Sequence, residues 1–159
     1  MNRNVSQKGA TLVEILVAVV ILAVGFLGLA SVQLLGAKNI SSSNYRTLAT
    51  IYANDMAERM RANRVGVDLN VYNGLKSKEV SSPGCESTCT PSNLAQRDAY
   101  EWHQLLSANP RNGGLPEGEG EILFEDGIHT IRVSWSEQST EDGERADADQ
   151  VYELAVRIL

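Results

Sequence analysis

The chain has 159 residues, a formal net charge of −6 and 21% charged residues. This length leaves room for one membrane helix and one modest domain. The acidic balance, with no cluster of basic residues on one predicted face, argues against nucleic acid as a partner. The two cysteines, Cys85 and Cys89, are compatible with an oxidising compartment.

The first predicted element is an apolar helix close to the N-terminus. From Ile15 to Ala37 no residue is charged, and fourteen of these 23 residues are Ile, Leu, Val or Phe. A run of roughly 20 apolar residues is long enough to span a bilayer. Because Arg3 and Lys8 precede the run, the positive-inside rule predicts that the N-terminus stays inside and that the C-terminal part lies across the membrane. Glu14 stands at the mouth of this span, where a carboxylate is costly, so we expect it to have a function.

A cleaved secretory signal peptide is the alternative for this segment. The apolar run is longer than the 7–15 residues of a signal-peptide core, and Glu14 interrupts its start. An ordinary signal anchor fits the length but leaves Gly9 and Glu14 unexplained.

The sequence from Gly9 to Glu14, Gly-Ala-Thr-Leu-Val-Glu, resembles the class III signal of type IV prepilins. The resemblance implies that prepilin peptidase cuts between Gly9 and Ala10 and that the same enzyme N-methylates Ala10. It also implies that Glu14 acts in subunit assembly. The usual first residue of the mature chain in that family is Phe or Met, so Ala10 is a departure from the pattern.

The chemistry of the cut agrees with this assignment. Cleavage would create an ammonium group at Ala10, about 6 Å along a helix axis from Glu14. In a low-dielectric setting the Glu14 carboxylate favours a nearby cation, including one on an adjacent subunit. Such pairing would set the register between subunits.

Two further blocks are similar to the PilV-type minor pilins. One is Gly25-Phe26-Leu27-Gly28-Leu29-Ala30 with Gln33, and the other runs from Asp55 to Asn63. The resemblance implies a structural subunit that is not an enzyme and has no cofactor. It implies assembly with other minor pilins and the major pilin, on an inner-membrane assembly platform, and a role in twitching motility and adhesion. The alternatives are a minor pseudopilin of a type II secretion system and a membrane-anchored periplasmic enzyme or binding protein.

The long helix is predicted to run from Ala10 to about Arg64. Beyond Lys38 its apolar residues recur every three or four positions, which is typical of an amphipathic helix that packs on a domain. Ser41-Ser42-Ser43 is a weak point, and Gly66 is available to end the helix. The predicted organisation is a leader at 1–9, a transmembrane half at 10–37, an amphipathic half at 38–64 and a periplasmic head at 65–159.

The head is predicted to be mostly loop over residues 65–92, with a turn at Asn73-Gly74, followed by a helix from about Ser92 to Ser107. A glycine-rich connecting loop at 112–120 lacks the ending of a phosphate-binding loop. Strands at Ile122–Phe124 and Ile128–Trp135 flank the hairpin signal Asp126-Gly127. An acidic loop, Glu137 to Asp149, precedes a last strand that contains Tyr152 and Ile158. The expected fold class is α+β, with a three-strand antiparallel sheet covering the long helix, which is also the type IV pilin fold.

The remaining candidate groups have plain structural interpretations. Cys85 and Cys89 can close a local disulfide in a turn, with two free thiols or a zinc site with His103 and His129 as alternatives. Nothing in the spacing requires those histidines to converge on the cysteines. The acidic residues of the predicted loop miss the spacing of a calcium loop: Asp142, Glu144, Asp147 and Asp149.

Overall fold

The computed structural model describes residues 11–83, 85, 87–141 and 144–158. Contacts divide the chain into two compact units, one ending at Ser41 and one beginning at Ser42. The long helix α1 spans Leu12–Ala62 and is continuous through Ser41, whose hydroxyl donates to the Ala37 carbonyl at 3.2 Å. The predicted start at Ala10 lies outside the described residues.

Residues 63–79 contain more structure than the predicted loop. A short helix α2 spans Arg64–Asp68, strand β1 spans Leu75–Lys76, and a 3₁₀ turn follows at Ser77–Glu79. Gly66 does not end α1 as predicted; it is buried inside α2. A second helix begins directly after Ala62 and Asn63. Asn63 caps α2 by accepting a hydrogen bond from the Gly66 backbone N–H at 3.3 Å.

Helix α3 spans Pro91–Leu106, close to the predicted range. Its first turn is held by Thr90, whose hydroxyl accepts the Asn93 backbone N–H at 3.2 Å. Pro91 follows at the start of the helix, where its missing N–H and fixed backbone angle are favourable.

The sheet has four antiparallel strands in the order β1-β2-β3-β4, one more than predicted. Strand β2 spans Glu119–Glu125, β3 spans Ile128–Glu141 and β4 spans Glu144–Val156. Asp126 and Gly127 both have positive φ angles, 52° and 78°, as the predicted two-residue hairpin turn requires. The predicted acidic loop from Glu137 to Asp149 is wrong, because β3 and β4 stay paired as far as Glu141 and Glu144.

One hydrophobic core joins the second half of α1 to α3 and the sheet. From α1 it takes Met56 and Met60 together with alanines at 49, 53 and 57, so the predicted apolar stripe is confirmed as a packing surface. Trp102 of α3 is fully buried and donates its indole N–H to the Tyr52 carbonyl at 3.0 Å. Its ring packs on Gly120, where an added Cβ would lie 2.2 Å from a ring carbon. The glycine-rich segment therefore lets β2 approach α3 closely.

Candidate assembly site

The first turn of α1 is capped by Thr11. The Thr11 hydroxyl accepts the Glu14 backbone N–H at 3.3 Å, and the Thr11 carbonyl accepts the Ile15 N–H at 3.2 Å. Thr-x-x-Glu is the sequence pattern of a helix capping box, a signal that our sequence interpretation missed. Glu14 therefore stands in the first helical turn, where the helix dipole favours a negative charge.

Glu14 is the only charged residue between Leu12 and Ala37. The side chains from Leu12 to Gly36 are exposed, and the most apolar 18-residue window of α1 has a mean hydropathy of 2.9 with none of its residues buried. By length and composition α1 can cross a membrane. In that setting the Glu14 carboxylate requires a cation or water, and residues 11–37 contain no basic side chain that could supply one. The predicted cleavage and methylation residues, Gly9 and Ala10, lie outside the described residues.

Residues 4–30 match the family model described as the prokaryotic N-terminal methylation motif. The match covers Gly9, Ala10 and Glu14. No curated protein and no solved structure matches the chain. The motif, together with the long helix packed on an antiparallel sheet, supports a type IV pilin or pseudopilin.

This motif implies processing by prepilin peptidase and assembly with other pilins. It points to a structural role for the chain rather than to catalysis. The motif and the apolar helix are also consistent with anchoring in the inner membrane before assembly.

The second block of the sequence, from Asp55 to Asn63, forms a polar contact between α1 and α3. Arg59 Nη1 donates to Glu101 Oε2 at 2.6 Å, and Arg59 Nε donates to Asp55 Oδ2 at 2.8 Å. Asp98 lies on the same side, with its Oδ1 3.7 Å from Arg59 Nη1. Asp55 and Arg59 are four residues apart, a spacing that by itself predicts only a surface pair within one helix. The structure shows that Arg59 is three-quarters buried and ties the two helices together.

Asn63 continues this polar contact at the end of α1. Its amide nitrogen donates to the Tyr72 hydroxyl at 3.0 Å and to the Pro91 carbonyl at 2.8 Å. The fully buried Tyr72 in turn donates to Asp98 at 2.5 Å. Side-chain hydrogen bonds thus satisfy polar groups that would be costly to bury unpaired.

The ionisation of these groups follows from their surroundings. Burial raises the pKa of the Asp98 carboxyl, and the hydrogen bond from Tyr72 and the charge of Arg59 only partly oppose that shift. The hydrogen bond from Arg59 lowers the pKa of the Glu101 carboxyl. The block therefore fixes the position of α3 on α1.

The structure joins Cys85 and Cys89 in a disulfide, with their Cα atoms 5.7 Å apart. Their sulfurs are then unavailable as thiolate ligands, which disfavours the zinc alternative with His103 and His129. In the described part of the chain, no group of three or more His, Cys, Asp or Glu residues could hold a metal ion. Of the acidic residues weighed for calcium, Asp142 lies outside the described residues, and Glu144, Asp147 and Asp149 belong to strand β4.

His129 is a polar residue that lies buried in the head. It is 3% exposed, and neither ring nitrogen has a hydrogen-bond partner among the described residues. Its ring lies against Phe124, with the ring centroids 4.5 Å apart. Desolvation by burial lowers the pKa of the His129 imidazole, so the neutral form is favoured.

Proposed function

We propose that the chain is a minor type IV pilin of the PilV kind. It is inserted as a prepilin, cut between Gly9 and Ala10, methylated at Ala10 and held in the inner membrane with its head in the periplasm. With other minor pilins it primes assembly of the major pilin on the inner-membrane platform and sits at the pilus tip. From there it supports twitching motility and adhesion at the cell surface.

The observation that carries this proposal is the match of residues 4–30 to the methylation motif, with Glu14 as the single charge of the following span. Cleavage of the leader at 1–9 supplies an ammonium group that can neutralise this carboxylate. Residues 10–37 are then the membrane half of the helix, 38–64 its amphipathic half and 65–159 the head. A charge pair between Glu14 of one subunit and the amine of another favours ordered entry into the filament, because both charges are otherwise costly in the membrane.

The first experiment separates the assembly role of Glu14 from its place in the helix cap. Glu14→Gln removes the charge and keeps the side-chain size, whereas Thr11→Ala removes the capping hydroxyl and keeps the charge. We expect both variants to insert in the membrane. In the Glu14→Gln variant, the number of surface pili should fall to that of a strain that lacks the gene. In the Thr11→Ala variant, it should stay near the wild-type number. Equal piliation in the two variants would contradict the proposed role of Glu14.

The second experiment separates the pilus from the secretion system. A minor pseudopilin has the same signal and fold but acts in type II secretion. The similarity of the Asp55–Asn63 block to the PilV type favours the pilus. A deletion strain should therefore lose pili and twitching motility and keep protein secretion, and the restored gene should recover both losses. Loss of secretion with normal pili would assign the chain to the secretion system.

A further inference from the structure

A row of alternating charges crosses the side of the sheet that faces away from the core. The strand registers place Lys76 beside Glu121, Glu121 beside Arg132, and Arg132 beside Glu153. Arg132 bonds both neighbours, with Nη1 3.0 Å from Glu121 Oε2 and Nε 2.8 Å from Glu153 Oε1. The row therefore begins with a cation on β1, at one edge of the sheet, and ends with an anion on β4, at the other.

An apolar row runs beside it on the core side of the same strands. Leu75 is paired with Ile122, Ile122 with Ile131, and Ile131 with Leu154. The two central isoleucines are fully buried, whereas Leu75 and Leu154 at the edges are only half-buried. Each edge of the sheet thus carries a half-buried leucine next to a charged residue. The two charged residues, Lys76 on β1 and Glu153 on β4, have opposite signs.

Neither edge pairs with a further strand in the part of the chain that the structure describes. Strand β4 has 13 residues and pairs only with β3 there. A surface cavity of about 260 Å³ is lined by both residues of β1 and by no residue of β2, and Ser92 and Gln96 of α3 also line it. It therefore lies on the side of β1 away from the sheet. Lys76 also contacts Glu79 at 3.6 Å, but both side chains are more than half exposed, so exchanging that contact costs little.

We propose that β4 of one copy of this chain pairs with β1 of a second copy, edge to edge, while both are held in the membrane. Copies anchored in one membrane by the same helix insert in the same direction, and we consider two heads that lie side by side in the same orientation. Because the sheet has four alternating strands, β4 of one such copy runs antiparallel to β1 of the copy beside it. One register then places Glu153 opposite Lys76 of the second copy and Leu154 opposite Leu75 of the second copy.

This single register continues both rows across the contact. The charged row keeps its alternation of sign, and the apolar row gains a partner at each edge. The contact is short, because β1 has only two residues, so it forms through the high effective concentration of two anchored chains. The inference goes beyond the proposed function and rests on it only in that both copies share one membrane.

Cysteine cross-linking of the full chain tests the register. The double variant Lys76→Cys with Glu153→Cys is expressed in the inner membrane of a host without other pilins and is then oxidised. Within one copy the two positions are three strand spacings apart, about 14 Å, which is too far for a disulfide. We therefore expect covalent dimers and a ladder of larger species. The control pairs Lys76→Cys with Asp149→Cys, four residues along β4, and should give about fivefold less product.

Reversing the charge of Lys76 or Glu153 tests whether the contact between two copies depends on their opposite charges. Energy transfer between donor-labelled and acceptor-labelled full chains in one liposome should fall about fivefold for Lys76→Glu and for Glu153→Lys. The double reversal should recover it, and Glu58→Lys, on the exposed side of α1, should leave it unchanged. Buried-tryptophan fluorescence checks that each variant is folded. Equal cross-linking in the test and control pairs, no recovery in the double reversal, or dimers only when other pilins are present would overturn the proposal. None of these outcomes would bear on the Glu14 and piliation tests.

Discussion

Arg59 of α1 and Glu101 of α3 form an ion pair, with Nη1 2.6 Å from Oε2, across 42 residues of sequence. The same guanidinium bonds Asp55 and lies near the buried Asp98. The block from Asp55 to Asn63 therefore has a physical role, which is to fix α3 on the second half of α1. This contact holds α3 against α1, whereas the role proposed for Glu14 is in assembly.

Arg59→Met should destabilise the head by about 1–3 kcal/mol, because it removes two charge-assisted hydrogen bonds and the cation beside Asp98. The measurement is thermal unfolding of the full chain in detergent, followed by the fluorescence of the two core tryptophans. Arg61→Met is the matched control: its contact with Glu58 is exposed, and its loss should cost less than about 0.5 kcal/mol. Equal effects of the two substitutions would contradict the role assigned to Arg59.

Gly120→Ala should destabilise the head by about 1–3 kcal/mol, since the new methyl group would overlap the buried Trp102 ring. The same fluorescence measurement gives the change in unfolding free energy. Gly36→Ala serves as control, because its added Cβ meets nothing within 4 Å and lies in the other unit. An unchanged Gly120→Ala protein would show that β2 does not need glycine to approach α3.

Acid should destabilise the head through His129. Burial lowers its pKa, so below the ordinary value of 6.5 the unfolded chain takes up a proton that the folded chain does not. The stabilising contribution is therefore fully present above pH 6.5 and is lost as pH falls from there toward the folded pKa. His129→Leu should show a smaller loss of melting temperature between about pH 7.5 and pH 5.5 than the wild type. Both proteins contain Asp98 and Glu101, so the comparison cancels their contributions. Equal losses of melting temperature in the two proteins would contradict the effect assigned to His129.

Loss of the Cys85–Cys89 disulfide should cost about 2 kcal/mol, since the bond closes only a short loop. Replacement of both cysteines by serine and reduction of the wild-type protein should lower the melting temperature by the same amount. A reductant should have no further effect on the double variant. If the reductant changes neither protein, the disulfide does not stabilise the head.

The sequence predicted those features that depend on local chemistry. Met56 and Met60 follow helical spacing, and Asp126-Gly127 has the residues that a tight hairpin turn demands, so both predictions hold. The Thr11–Glu14 cap is equally local, and the Thr-x-x-Glu pattern could have revealed it.

Other features depend on contacts that are distant in sequence. Strand β1 has only two residues and exists because Leu75 pairs with Ile122. The Arg59–Glu101 contact needs α3 folded back on α1, which no local spacing reveals. Strands β3 and β4 continue through a stretch rich in acidic residues. Such a composition is also typical of a solvated loop, so the sequence did not indicate that the strands continue.

The mass of the mature N-terminus shows whether the chain is processed as a prepilin. The chain is purified from cells with an active prepilin peptidase, and its N-terminal peptide is identified by mass spectrometry. We predict a chain that begins with N-methylated Ala10. A Gly9→Val variant, which should retain its leader, is the control. A purified chain that still begins at Met1 in those cells would contradict the proposed processing and the pairing role of Glu14.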